Sequence, residues 1–333
     1  MDLEKLKCKM DIDKLSEGLL KGTLRPLSRA ITLIESSNPE HYEDASKLLE
    51  NILPHTGKSI RIGISGVPGV GKSTFIEAFG QHLTSTGHKV AVLAVDPSSQ
   101  LTGGSILGDK TRMEDLSRDE NAFIRPSPAG STLGGVAKKT RETMLLCEAA
   151  GYDVILVETV GVGQSEITVA SMVDFFMLLQ LANAGDELQG IKKGVMEIAD
   201  AIVINKAEGE NRARAELAQG QYKNALHILR PKSKNWIVPV QLCSALYNEG
   251  ISDIWDIVTD YKEKLTASGE FDDKRQRQAV DWLWTMVMDD LKELFTSNKN
   301  VQAKLPQIQE AVVKGITPPG VASKRLLELF KRN

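Results

Sequence analysis

The run Gly66-Val67-Pro68-Gly69-Val70-Gly71-Lys72-Ser73 carries the spacing Gly-x4-Gly-Lys-Ser, with Thr74 directly behind it. Such a run is suited to holding a polyphosphate. Its glycines let the backbone wrap closely, so that main-chain N–H groups point at phosphate oxygens. A following helix adds the positive end of its dipole. Lys72 is long enough to reach the outer phosphates, and the Ser73 hydroxyl can ligate Mg²⁺. The motif sits between an apolar run and a helical pattern, the context that its chemistry needs. A nucleoside triphosphate with Mg²⁺ is the expected ligand.

Acidic residues close two further apolar runs. Asp96 ends KVAVLAVD, and Glu158 ends VILVE just ahead of Thr159-Val160-Gly161. A carboxylate at the end of a strand beside a phosphate loop can hold Mg²⁺ through water or orient the attacking water. Asp96 can equally serve as a turn or cap residue. Gly161 has no side chain, so its N–H could approach a γ-phosphate and respond to its loss. Asp109, in the glycine-rich polar stretch from Thr102 to Met113, is a third candidate for the metal or for polarising water. The bland alternative for Asp109 is a solvated loop carboxylate.

The choice of base rests on Asn205-Lys206-Ala207-Glu208, which directly follows the run AIVIN. The usual guanine motif is Asn-Lys-x-Asp. Its carboxylate accepts from two guanine N–H groups that adenine does not offer together, so it discriminates between the bases. Here Glu stands where Asp is usual, and one extra methylene must be absorbed. Ser244-Ala245-Leu246 follows the last apolar run, in the place where a backbone N–H commonly meets guanine O6. The pair of motifs, in this order after a phosphate loop, points to GTP over ATP. Hydrolysis would then rest on positioning and electrostatics. No arginine is marked by spacing as a transition-state finger; Arg112 and Arg125 are the candidates.

These residues require strands to carry them. Six short apolar runs read as strands: 60–65, 90–95, 154–157, 175–181, 201–204 and 238–242. Helical patterns over 73–86, 134–150 and 212–229 separate most of them. The alternation predicts an α/β fold with a doubly wound, mainly parallel sheet. Residues 1–55 read as a helical extension, with Leu19, Leu20, Leu27, Ile31 and Ile34 at roughly helical spacing, and 56–266 as the nucleotide-binding domain. Residues 267–333 read as a C-terminal helical part. There Val280, Trp284, Val287, Leu291 and Leu294 make an apolar seam, suited to a dimer arm or to packing against the core. The polar stretch ASGEFDDKRQRQ before it is a linker or a helix entry.

Composition narrows the function classes. A chain of 333 residues with 41% hydrophobic residues can build a large core, and a net charge of −3 gives no global pull toward nucleic acid or anionic membrane. Cys8, Cys147 and Cys243 are isolated, as are the five histidines, so neither a disulfide framework nor a zinc or nickel site is signalled. The N-terminus lacks an apolar signal core. The densest apolar stretch, from Phe175 to Leu179 with Leu181 and Ala182 beyond, is too short to span a bilayer. A cytoplasmic location is expected.

Longer runs carry a family resemblance. They are GVPGVGKST at 66–74, VDPSSQLTGGSILGDKTRM at 95–113, IRPSPAGSTLGGVAKKTRE at 124–142, VETVGVGQSE at 157–166 and AGDELQGIKKG at 184–194. ALHIL at 225–229 and CSAL at 243–246 fit too, as do LSRAITLIES and RQAVDWLW. The chain resembles the MeaB/ArgK family of P-loop GTPases, chaperones of adenosylcobalamin-dependent methylmalonyl-CoA mutase, over nearly its whole length.

The resemblance implies a SIMIBI-like G domain, GTP or GDP with Mg²⁺, and a homodimer through the C-terminal helices. It also implies association with the mutase or a related acyl-CoA mutase, control of cofactor delivery, and hydrolysis that quickens on docking. Carried over by position, Gly66 to Thr74 hold phosphate. Ser73, Asp96, Asp109 and Glu158 surround the metal, and Lys72, Asp109 and Glu158 serve catalysis. Asn205, Lys206, Glu208, Ser244, Ala245 and Leu246 hold guanine. Gly161, Glu166, Asp186, Lys192 and Lys193 belong to switch or partner segments, the last three in a stretch that otherwise reads as a solvated loop. A transport-linked ATPase or kinase, a nickel metallochaperone GTPase and a non-catalytic scaffold are the competing readings.

Overall fold

The computed structural model describes residues 11–36, 38–95, 113–126, 133–159, 164–182, 193–229 and 231–331. They fall into two units, Met1–Arg275 and Gln276–Asn333.

The first unit is built on a seven-stranded sheet in the order β3-β2-β4-β1-β5-β6-β7. Its strands are β1 (Ile60–Gly66), β2 (Val90–Val95), β3 (Ala122–Arg125), β4 (Val154–Thr159), β5 (Phe175–Leu181), β6 (Ala201–Asn205) and β7 (Val240–Leu242). Every neighbouring pair is parallel. The doubly wound expectation holds, with one strand more than the apolar runs indicate. β3 is a four-residue edge strand whose residues are all half-buried, so it lacks the dense apolar signature of a central strand. β4 runs two residues further than expected and carries Glu158 and Thr159 inside the ladder. β7 is shorter than expected because Pro239 has no N–H to donate.

Parallel strands need crossovers, and helices cover both faces. On one face α4 (Lys72–Ser85) and α9 (Ile251–Ala267) pack their apolar sides on Ile60, Ile62, Ile64, Phe175 and Met177. On the other, α1 (Ile12–Leu20), α2 (Leu24–Glu35), α3 (Tyr42–Ile52), α5 (Leu133–Ala149) and α6 (Gln164–Ala170) cover β2, β4 and β1. The N-terminal helices thus share one core with the sheet: Leu19, Leu27 and Ile31 are buried together with Val157 and Phe176. Near the β6–β7 edge, α7 (Lys193–Ile198) and α8 (Arg212–Ile228) complete that layer. Chain order diverges at β1, with β4, β2 and β3 on one side and β5, β6 and β7 on the other. In open α/β sheets, ligands bind beyond the strand ends at such a point.

At the opposite end of the strands lies a buried ion network. Arg275 donates to both carboxylate oxygens of Asp174 (2.8 and 2.6 Å) and to the carbonyls of Gly57 and Ser59 (both 2.6 Å). Asp174 also accepts from the Arg61 N–H at 2.8 Å. Arg61 Nε in turn donates at 2.7 Å to Glu148, which also receives the Ser59 hydroxyl at 2.5 Å. Arg275 lies in the first turns of α10 (Glu270–Ser297), so the polar stretch before the C-terminal seam is a helix entry.

The second unit comprises the rest of α10 with α11 (Lys299–Val313) and α12 (Pro319–Lys331). Asn298 caps α11 by accepting from the N–H groups of Asn300 and Val301. The seam on α10 is largely open to solvent: Val280, Leu283, Trp284, Met288, Leu291 and Leu294 are all exposed, Trp284 at 62%.

Candidate nucleotide site

The loop from Gly66 to Gly71 leaves the end of β1 and runs directly into α4. Gly69 and Gly71 take φ values of 80° and 91°, a region that a side chain disfavours. A Cβ on Gly71 would also stand 3.0 Å from Asn205 Nδ2. Within the loop the Val70 N–H donates to the Val67 carbonyl at 3.2 Å. Lys72 opens α4 and reaches back to the Gly66 carbonyl at 2.9 Å. Burial lowers its pKa, while the negative charges of Glu158 and Glu166 pull the other way. Both acids are themselves buried, at 5% and 4% exposure. Glu158 is in register with Ile64 of β1 and Ala94 of β2, on the face that α4 covers. The sheet therefore delivers a carboxylate within electrostatic reach of the phosphate-loop lysine.

Donor chemistry fits Mg²⁺. The Ser73 hydroxyl and the Glu158 carboxylate are hard oxygen ligands. Mg²⁺ is commonly held by one or two carboxylates together with substrate phosphates rather than by an all-protein cage. Among the described residues no cluster of three or more His, Cys, Asp or Glu could hold a metal by itself. Asp96, Asp109, Gly161, Asp186 and Lys192 lie outside the described residues. Lys193 opens α7, with its side chain outside them as well.

The segments that follow β6 and β7 are wired to the phosphate loop. Asn205 Nδ2 donates to the Val70 carbonyl at 2.9 Å, and Lys206 Nζ donates to the Gly69 carbonyl at 2.8 Å. Asn205 Oδ1 accepts from the Ala245 N–H at 3.1 Å. One buried amide thus joins three loops. Lys206 has φ 60°, a turn that lets β6 pass straight into this segment. The Ala207 N–H donates to the Cys243 carbonyl at 3.0 Å, and the Ser244 hydroxyl accepts from the Tyr247 N–H at 3.3 Å. The Ala245 N–H is spent on Asn205, and Leu246 beside it is exposed (67%).

Glu208 Oε2 is buried without a hydrogen-bond partner. Cys243, beside it, has its thiol pushed up to about 12 by burial and then by the Glu208 charge. A buried carboxylate oxygen lacking a donor is costly. A ligand offering paired N–H groups, as guanine does, matches such an acceptor in kind.

Arg125 does not fit the role of a transition-state finger. It is held by Glu35 at 2.5 Å. It stands in register with Leu93, through Leu93 with Val157, and through Val157 with Gly63. That places it three strands away, about 14 Å across the sheet, and three residues short of Gly66. Arg112 lies outside the described residues. The Asn205–Val70 bond and the charge of Glu166 on Lys72 escaped the motif reading, because each joins segments far apart in sequence. For Asn205 the one available signal was its place as the polar residue closing AIVIN.

Comparison with known proteins agrees with this geometry. The family model for methylmalonyl Co-A mutase-associated GTPase MeaB matches residues 27–300. The chain is 51% identical over 318 residues to a probable GTPase of Mycobacterium tuberculosis, covering 96% of this chain and 95% of that protein. It is 50% identical over 313 residues to the GTPase ArgK of Escherichia coli, covering 94% and 95%. It is 47% identical over 330 residues to the mouse mitochondrial methylmalonic aciduria type A homolog, covering 96% and 80%. A solved structure described as a LAO/AO transport system kinase superposes with TM-score 0.78 at 44% identity, covering 96% of this chain and 97% of that one. With a phosphate loop, a guanine-type segment and relatives of this closeness, the chain is a GTP hydrolase and belongs to the MeaB family of methylmalonyl-CoA mutase-associated GTPases.

Proposed function

We propose that this GTPase acts on an adenosylcobalamin-dependent methylmalonyl-CoA mutase or a related acyl-CoA mutase, gating cofactor loading and protecting or reactivating the enzyme. The observation that carries the reading is the join between base and phosphate loops through Asn205 and Lys206, with the unsatisfied Glu208 oxygen beside it. Such wiring couples the phosphate loop to the segments after β6 and β7, so that a guanine nucleotide bound there is felt by all three. The family name supplies the mutase as partner.

In this reading the N–H groups of residues 66–74 and the Lys72 ammonium bind the phosphates. Ser73, Glu158, Asp96 and Asp109 would hold Mg²⁺, and the ion would supply charge neutralisation to the phosphates. Asn205, Lys206, Glu208 and the Ser244–Leu246 loop hold guanine. The segments at Gly161, Glu166 and 184–194 carry the γ-phosphate signal to the mutase. Two copies pair through the apolar stripe of α10, and the protein works in the cytoplasm. No described helix is long and apolar enough to cross a membrane.

The test is GTP turnover by purified protein with and without the host's cobalamin-dependent mutase. The expected result is slow turnover that rises at least tenfold on adding mutase, within the range by which partners order GTPase switches. Turnover indifferent to the mutase removes that enzyme as the partner.

A further inference from the structure

Beneath the phosphate loop, on the face turned away from α4, three polar side chains lie at the ends of adjacent strands. Strand side chains alternate between faces. Ile62 and Ile64 of β1, Leu156 of β4 and Met177 and Leu179 of β5 are core residues; the first four belong with the α4 side. Leu179 does as well. The opposite parity therefore carries Ser65, Thr159 and Gln180. All three are buried, at 1%, 0% and 2% exposure. Thr159 Oγ1 and Ser65 Oγ are hydrogen-bonded at 2.9 Å. Ser65 is in register with Leu178, which puts Gln180 one diagonal step away on the same face.

Two hydroxyls sharing one hydrogen bond leave one hydroxyl proton to place. The amide oxygen of Gln180 is buried without a donor. A spare donor and a bare acceptor thus stand on neighbouring strands of one face, and rotation of the Ser65 hydroxyl and the Gln180 amide would join them. A buried acceptor left bare costs enough to require an explanation.

We propose that Gln180 is a positioning residue for GTP hydrolysis, its amide oxygen accepting the proton left over by the Thr159–Ser65 pair and so tying the ends of β4, β1 and β5 together under the phosphate loop. Ser65 directly precedes Gly66 and the phosphate loop, Thr159 directly follows Glu158, and Gln180 is the penultimate residue of β5. Hydrolysis of this kind depends on holding the phosphate and the attacking water in place. Slack between the three ends would therefore lower turnover while leaving ground-state binding intact. This inference concerns the hydrolytic step itself and stands whether or not the mutase is the partner.

The experiment compares Gln180→Met, Ser65→Ala and the double variant with the parent protein, in GTP kinetics and thermal unfolding. Gln180→Met keeps size and removes the bare acceptor. The expected result is a kcat about tenfold lower, the worth of one well-aligned hydrogen bond, with KM for GTP unchanged and a thermal midpoint equal or higher. Ser65→Ala should lower kcat by a similar factor, and the double variant no further, as members of one network do. Ser65→Thr keeps the hydroxyl and should keep turnover. Unchanged kcat in Gln180→Met overturns the proposal. So do additive losses in the double variant, or a lowered kcat that merely tracks a lowered midpoint. Should Gln180→Met fail to fold, the Ser65 pair decides: Ser65→Ala with parental turnover overturns it equally.

Discussion

Buried carboxylates divide this protein's residues into those that are satisfied and those that wait. Glu148 receives the Gly57 N–H, the Ser59 hydroxyl and Arg61, and is satisfied by the fold. Glu208, in the segment after β6, keeps a bare oxygen. Glu142 on α5 is a third kind: burial pushes its pKa up to about 7, against the opposing pull of Lys138 and Lys139. Its unfolded value is near 4.5, so the folded protein holds an extra proton between these two values. Stability contributed by that proton is complete below about pH 4.5 and is lost as pH rises toward 7. Glu142→Gln should therefore raise the unfolding free energy at pH 8 by on the order of 1–3 kcal/mol, with little effect at pH 4.5. Urea unfolding at the two pH values checks this, and an equal effect at both would refute it. The candidate phosphate and base segments, 66–74 and 205–208, stand out in the sequence because nucleotide chemistry dictates residue type and spacing. Glu142 was not, because its environment is assembled by tertiary packing.

Strands and helices were legible where one physical rule dominated. Central parallel strands are buried on both faces and read as apolar runs. β3, half-buried at the edge, gave no such signal. The root of α10 was read as polar and ambiguous because its charges find partners only in the fold. Lys274 reaches the Asp174 carbonyl at 2.5 Å, and Arg275 makes its four bonds to Asp174, Gly57 and Ser59. This network fastens the first turns of α10 to the starts of β1 and β5. Arg275→Ala would strand the buried Asp174 carboxylate, at a cost of about 3–5 kcal/mol. Adding Asp174→Asn to it should recover part of that loss, since the stranded charge is gone. Denaturant unfolding measures both; an Arg275→Ala loss within ~0.5 kcal/mol, the level of an ordinary surface change, would show that the network is dispensable.

At the scale of the whole chain, the α/β class with its parallel, doubly wound sheet followed from the alternation of apolar runs and helical patterns, whereas the strand order, with β1 at the centre, did not. The N-terminal helices were legible as helices, whereas their merging with the sheet core was not, since periodicity gives a face and not its partner. The exposed stripe on α10 in the second unit is the feature that a pairing of two copies would bury. The central claim is that this chain reads guanine and hydrolyses its triphosphate with the phosphate loop. A solved relative carries a transport-kinase name, so ATP is the competitor to set against GTP. The most direct measurement is hydrolysis of GTP and of ATP, side by side, by the purified protein and by its Lys72→Ala variant. The account predicts turnover of GTP, little of ATP, and none of either by the variant. Equal turnover of ATP, or a Lys72→Ala variant as fast as the parent, would contradict it.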